Sequence, residues 1–79
     1  MKELDVLRLY DIQTEDELYI RKADINYVIA LSEEHQKLKF PKYQTPICIV
    51  KLSHPFVSFD EEKDYVYCFK DNISKFIIN

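Results

Sequence analysis

Glycine is missing from this chain of 79 residues. Glycine alone lets the backbone approach a phosphate closely or take a positive φ angle without strain. The Walker loop, the dinucleotide-binding fingerprint and the nucleophile elbow of the hydrolases all require it. The sequence therefore excludes these motifs, and with them the nucleotide-binding and hydrolytic classes that they define.

A long apolar run is missing as well. No apolar stretch approaches the roughly 18 residues of a membrane span, and Glu3 and Asp5 interrupt the N-terminus where a signal peptide would be apolar. We therefore expect a cytoplasmic protein without membrane contact. In that compartment Cys48 and Cys68 are expected to be reduced core residues, and a disulfide between them is expected only if the protein is exported.

Metal ligands and catalytic groups do not occur at useful spacings. Structural zinc sites usually offer paired ligands about two to four residues apart, and no two of His35, His54, Cys48 and Cys68 have that spacing. Ser53 and His54 are adjacent, so on a strand their side chains point to opposite faces. We predict no metal, no cofactor and no enzymatic activity.

Aromatic residues are abundant, with six Tyr and five Phe. A chain of this length is expected to form one domain over residues 1–79, and such a domain buries only about 60% of its unfolded surface. Large aromatic side chains compensate in the core or at an interface. The net charge of −3 argues against a general polyanion binder. The frequent Lys and Ile are typical of an AT-rich bacterial or phage genome.

The pattern of apolar residues predicts a β-rich α+β fold, an antiparallel sheet of about four to six strands closed by a short C-terminal helix. The predicted strands cover residues 4–12, 18–21, 25–31, 47–52, 56–59 and 65–70, with a further short edge strand at 38–40. His54-Pro55 is predicted to break the chain, and the charged residues 60–64 to form a hairpin loop. Asp71 is predicted to cap the helix, which starts at or near Asn72.

Two of these strands are the most informative. Residues 47–52 are apolar on both faces, which is typical of a central strand that is covered on both sides. Residues 25–31 fit the alternation of a strand better than the period of a helix. We therefore predict a strand there, and a helix from Asp24 to about Leu38 is the alternative.

The strand at 65–70 presents a stripe of Tyr65, Tyr67 and Phe69 opposite a stripe of Val66 and Cys68. Either core packing covers both stripes, or one of them is a recognition surface, where Tyr and Phe are enriched. We predict a small non-enzymatic protein-binding module, a phage or mobile-element regulator or inhibitor of a host protein, that binds a protein partner or a second copy of itself. The predicted interface comprises Tyr65, Tyr67, Phe69, Phe76, Ile78, Asp60, Glu61 and Glu62.

The alternative function is a nucleic-acid-binding regulatory domain. Lys37, Lys39 and Lys42 are interleaved with Phe40 and Tyr43, which combines phosphate contacts with stacking faces as in single-strand binders. The acidic residues just upstream and the net negative charge oppose this interpretation. Lysines also protect exposed sheet edges from aggregation. We therefore favour protein over nucleic acid as the partner.

Overall fold

Five strands and two short helices make up the part of the chain that the structure describes. The structure is a computed structural model, and it describes residues 6–58 and 60–77, except for the side chains of residues 58 and 75–77. The strands are β1 Val6–Asp11, β2 Asp16–Arg21, β3 Ile25–Ala30, β4 Ile47–Ser58 and β5 Glu61–Phe69. The helices are α1 Glu33–Lys39 and α2 Lys70–Ile77, and a 3₁₀ turn, Lys22–Asp24, leads into β3.

The strands form two antiparallel sheets rather than the single sheet that the sequence predicts. β1 and β2 make a hairpin in which Leu9 faces Leu18, and β4 lies between β3 and β5 in a three-stranded sheet. The two sheets meet where the N–H of Ile12 donates to the carbonyl of Tyr67 over 2.9 Å. Because the hairpin reaches β5 just beyond the end of β1, no continuous sheet forms. The β-rich architecture and the C-terminal helix are confirmed, and the single sheet is wrong.

The middle strand β4 is covered on both faces, as its apolar run predicts. Val50 and Leu52 enter one core cluster, whereas Ile47 enters a second cluster on the opposite face. The first cluster draws on the hairpin, the sheet and α2, and comprises Leu9, Ile20, Val50, Leu52, Val66, Cys68 and Ile73. The second cluster comprises Ile12, Ile47 and Tyr67, surrounded by partly buried aromatic and aliphatic residues. The three-stranded sheet therefore has a small core on each of its two faces.

Two predicted interruptions are wrong. Strand β4 continues through His54-Pro55, and a register shift between Lys51 and Phe56 marks an irregularity in the ladder. Proline is tolerated at such a bulge because its missing N–H costs little there. Of the strand predicted separately at 56–59, residues 56–58 are therefore the end of β4, and Phe59 lies outside the described residues. The hairpin turns at Asp60, with a φ of 65°, so most of the predicted loop at 60–64 belongs to β5.

Residues 25–39 show one correct prediction and one error. β3 confirms a strand at 25–31, and the alternative helix from residue 24 does not form. The edge strand at 38–40 is wrong, because α1 occupies residues 33–39. Ser32 caps this helix through its Oγ, which accepts a hydrogen bond from the N–H of His35 over 3.2 Å. Acidic residues in the first turn and lysines in the last turn also match the helix dipole.

Gln36 of α1 fixes the loop that leads into β4. Its Nε2 donates to the carbonyls of Tyr43 and Thr45 over 3.2 and 2.8 Å. Its Oε1 accepts from the N–H of Ile47 over 3.0 Å. Gln36 is buried, and so is its bond with the N–H of Ile47, which would otherwise lack a partner away from water. One side chain thereby holds a seven-residue helix against the start of the central strand.

Helix α2 begins at Lys70, so Asp71 lies in its first turn and not at the predicted cap position. Ile73 is fully buried in the first core cluster, where the helix packs against β1 and β5. The side chain of Phe76 and the whole of Ile78 lie outside the described residues. Within the described part of the chain, no helix is long and apolar enough to cross a membrane.

Replacing Gln36 with alanine is expected to destabilise the protein by about 2–3 kcal/mol, because one buried N–H and two partly buried carbonyls lose their partner. Urea unfolding followed by circular dichroism measures the change. Gln44→Ala is the matched control, since Gln44 lies in the same loop and is exposed. It should change stability by less than about 0.5 kcal/mol. Equal effects of the two substitutions would show that Gln36 does not hold the loop.

Candidate interaction surface

The predicted aromatic interface on β5 is largely packed inside the protein. Tyr67 is 8% exposed and belongs to the second core cluster. The ring of Phe69 stacks parallel to Tyr10 at 6.3 Å between centroids and meets Tyr43 edge-on at 5.4 Å. Tyr65 is half-buried and lies edge-on to Tyr67 at 5.6 Å. The core therefore uses most of this stripe, and Tyr67 offers almost no surface to a partner.

The remaining predicted interface residues lie away from the stripe. Glu61 and Glu62 are exposed at the start of β5, opposite Ser58 and Val57 of β4. Tyr67 lies five positions along the strand from Glu62, a distance of roughly 16 Å. The acidic residues therefore mark the tip of the β4–β5 hairpin. The interface role of Phe76 and Ile78 stays a prediction, because it falls outside the described side chains.

A different apolar surface is exposed on β3 and α1. Tyr27 and Ile29 are 48% and 49% exposed, and Leu38 is 83% exposed. The register places Ile29 beside Ile49 on one side of the sheet. In the next row along the strands, Lys51 lies between Tyr27 and Tyr65. We call this surface the open face, and it comprises Tyr27, Ile29, Leu38, Ile49, Lys51 and Tyr65.

A shallow depression of about 440 Å³ lies in the open face between α1 and the sheet. It is lined by Leu31, His35, Leu38, Lys39, Ile49 and Tyr67. The ammonium of Lys39 lies 5.7 Å from the centroid of the Tyr67 ring. The lining of the depression therefore includes a cation over an aromatic ring. A depression of this size can accept a large apolar side chain from another protein.

An ion pair lies at one end of the open face. Lys51 Nζ donates to Asp64 Oδ2 over 2.6 Å, and both side chains remain partly exposed. This hydrogen bond raises the pKa of Lys51 and lowers the pKa of Asp64, so both groups stay charged at neutral pH. The pair gives the apolar surface a fixed polar group that can orient a partner.

Sequence reasoning missed Tyr27, Ile29 and Leu38 as surface residues. The alternation in β3 shows that its odd-numbered residues share a face, but not that β3 is an edge strand. The predicted edge strand at 38–40 would place Leu38 on one face with Phe40, whereas α1 leaves Leu38 in solvent. A usable signal was present, because Ser32 followed by two glutamates is typical of a helix N-terminus.

The candidate nucleic-acid segment lies on α1 and the loop after it. Lys37, Lys39 and Lys42 are exposed as predicted. The two aromatic residues are partly buried, however, and their rings contact core aromatics. Phe40 meets Tyr67 edge-on at 5.1 Å, and Tyr43 meets Phe69 at 5.4 Å. Rings held in this way offer less of their faces to stacked bases.

The two cysteines face each other across β4 and β5. They are register partners, and both are buried and free. Burial raises the pKa of Cys48, and burial together with the neighbouring Cys48 thiol raises the pKa of Cys68 to about 12. Neither thiol is therefore ionised near neutral pH, as a nucleophile or metal ligand would be. Among the described residues, no three His, Cys, Asp or Glu side chains come together around a metal position.

Comparisons with family models, with curated proteins and with solved structures found no match to this chain. The surface described above therefore carries the functional argument.

The thiol of Cys68 should make stability fall in alkali. An unfolded thiol ionises near pH 8.5, whereas the folded one ionises near a pKa of about 12. Between these values the unfolded state has lost a proton that the folded state keeps, so stability falls as pH rises, by up to about 1.4 kcal/mol per pH unit. Urea unfolding from pH 8 to pH 10.5 measures this slope.

The control is Cys68→Val, which keeps an apolar side chain of similar size and removes the ionising group. This variant should show a shallower alkaline slope than the wild type. Alkylation by iodoacetamide provides a second measurement, and neither thiol should react until urea unfolds the protein. Rapid alkylation of the folded protein would contradict the burial of this pair.

A single-stranded oligonucleotide is expected not to bind the protein at about 0.15 M salt, because the aromatic faces near the lysines are engaged in the core. Fluorescence anisotropy measures binding, and the control replaces Lys37, Lys39 and Lys42 together with alanine. Binding by the wild type that is lost in the triple variant, and that weakens steeply with salt, would establish the nucleic-acid alternative.

Proposed function

We propose that this protein is a small non-enzymatic binding module, a regulator or inhibitor that covers part of a partner protein with its open face. The proposal is carried by one observation: Tyr27, Ile29 and Leu38 are all exposed on the open face, and Leu38 also lines its depression. Single exposed apolar residues are normal on any protein, whereas a contiguous apolar group on a small domain is typical of an interaction site.

The chemistry of the open face is suited to protein recognition. Tyr27 and Tyr65 provide large contact area at a low cost in conformational entropy, and such residues are enriched where binding energy is concentrated. The ion pair of Lys51 with Asp64 adds a polar contact between the two tyrosines. The acidic residues 60–62 would lie at the rim, where charge favours the rate and specificity of association more than its strength.

A non-enzymatic role fits the state of the cysteines. Cys48 and Cys68 are protonated and buried. The depression in the open face is lined by apolar residues together with His35 and Lys39, and it contains no carboxylate. A general acid and base need partners within hydrogen-bonding reach. The composition of this depression favours contact with an apolar side chain over catalysis on a substrate.

The test is quantitative affinity capture from a lysate of the source organism, followed by binding measurements on the retained protein. We expect Ile29→Asp and Leu38→Asp each to weaken that binding at least about tenfold, because a charge is placed in an apolar contact. Tyr19→Asp is the matched control, since Tyr19 is 68% exposed on β2, in the other sheet. Circular dichroism of each variant confirms that it is folded.

Equal losses of partner binding in all three variants would show that the binding site lies elsewhere. Undiminished binding in Ile29→Asp and Leu38→Asp would reject the open face as the site. If no protein is retained and the oligonucleotide binds, the nucleic-acid alternative replaces the proposal.

A further inference from the structure

Strand β3 has an exposed edge. The N–H of Leu31 donates to the carbonyl of Ile47 over 3.0 Å, and the register pairs Ile29 with Ile49 and Tyr27 with Lys51 in the same ladder. In an antiparallel ladder, alternate residues direct their backbone groups to opposite sides. The N–H and C=O groups of Val28 and Ala30 therefore point away from β4. Among the described residues, no strand pairs with that side of β3.

The other edge of the same sheet is covered. The same alternation directs the backbone of Tyr67 away from β4, and its carbonyl accepts the N–H of Ile12 from the hairpin. Sheet edges are usually protected by charge, proline or a bulge. β3 contains neither a charged residue nor proline, and its bulge lies at its first residues, between Ile25 and Tyr27. Residues 27–31 therefore form an unprotected edge.

We propose that the β3 edge binds a second copy of this chain, forming an antiparallel β3–β3 pair about a two-fold axis through Ile29. Val28 of each copy then exchanges backbone hydrogen bonds with Ala30 of the other. Ile29 meets Ile29, and Tyr27 of one copy lies opposite Leu31 of the other. A two-fold axis through Val28 is disfavoured because its outer hydrogen bonds would involve the bulged residue Asn26.

The register of this pair accounts for the exposed side chains. Ile29 and Tyr27 are each about half exposed in the single chain, and both become cross-strand partners of apolar residues. Leu31 lines the depression of about 440 Å³. Tyr27 of the second copy would therefore lie at the mouth of that depression. The pairing joins two three-stranded sheets into one of six strands and places the two open faces side by side.

Charge is complementary at both ends of the proposed pair. Beyond Leu31, the chain continues into Glu33 and Glu34, which are exposed in the first turn of α1. Antiparallel pairing directs this end towards the segment that precedes β3 in the second copy, which carries Arg21 and Lys22 against one acidic residue, Asp24. The carboxylate of Asp24 lies 3.8 Å from His54 Nδ1 of its own chain, so the segment keeps a net positive charge. The strands between these ends are uncharged, so no like charges meet at the axis. This complementarity favours a second copy over an unrelated peptide.

Sedimentation velocity at about 5–500 µM tests the association, and the pairing predicts a monomer–dimer equilibrium. Ala30→Pro removes an outward N–H without breaking a hydrogen bond within the chain, and should weaken the dimer at least tenfold. Ala30→Val is the matched control, because it keeps the N–H, and should retain the dimer. A monomer throughout the concentration range, or equal effects of the two variants, would overturn the proposal.

Cysteine cross-linking tests the register. Residues opposite each other at a non-hydrogen-bonded site have Cα atoms about 4.5 Å apart, within the range that a disulfide spans. With diamide as the oxidant, Ile29→Cys should give a covalent dimer, and Tyr27→Cys should give at least tenfold less. Mixing Tyr27→Cys with Leu31→Cys should restore the link. A link between Tyr27→Cys and Ile29→Cys would overturn the assigned axis.

The two proposals fail separately. Ala30→Pro leaves every side chain of the open face in place, so loss of the dimer with retained partner binding would support edge pairing as a distinct property. A protein from the lysate that binds the wild type and fails to bind Ala30→Pro, while the wild type alone stays monomeric, would show that this edge takes a foreign strand, which would overturn self-pairing.

Discussion

The constraint on which this fold depends is that its central strand is apolar on both faces. Val50 and Leu52 need cover on one side of the sheet, and Ile47 and Ile49 need it on the other. A chain of 79 residues has little material for two covering layers. The β1–β2 hairpin and α2 are placed on one side, and α1 with its aromatic loop on the other. Little remains to cover β3, so Tyr27 and its neighbours stay exposed.

Buried polar side chains fix these layers to the sheet. Gln36 holds the loop before β4, and Lys63 holds the hairpin, since its Nζ donates to Gln13 Oε1 over 3.0 Å. The same ammonium lies 3.9 Å from the carboxylate of Asp11, which is fully buried. Apolar packing has no direction, whereas these contacts have a single geometry. They account for why two small layers take one position on the sheet.

Much of the strand content followed from the sequence, because alternation and β-branched residues act locally. The strand at 25–31 and the central strand were predicted from such patterns. The predictions were wrong where contacts between distant segments outweighed the preference of the local sequence. Pro55 predicts the end of a strand. It lies instead where the hydrogen-bonded register of β4 and β5 shifts, and a missing N–H is tolerated there. The aromatic stripe of β5 is typical of a recognition surface, but Tyr67 is buried in the second core cluster.

The sequence by itself determined that this is a β-rich α+β chain with a double-faced central strand, that glycine-based motifs are absent, and that its cysteines suit a core. Those properties depend on residue type and spacing within one segment. Only the tertiary structure decided which strand is an edge and which apolar residues stay exposed. The exposure of a side chain depends on which distant parts of the chain pack against it. Leu38 and Ile29 are of the same residue types as the buried Leu and Ile residues, and only their surroundings differ. The open face is therefore a property of the assembled fold.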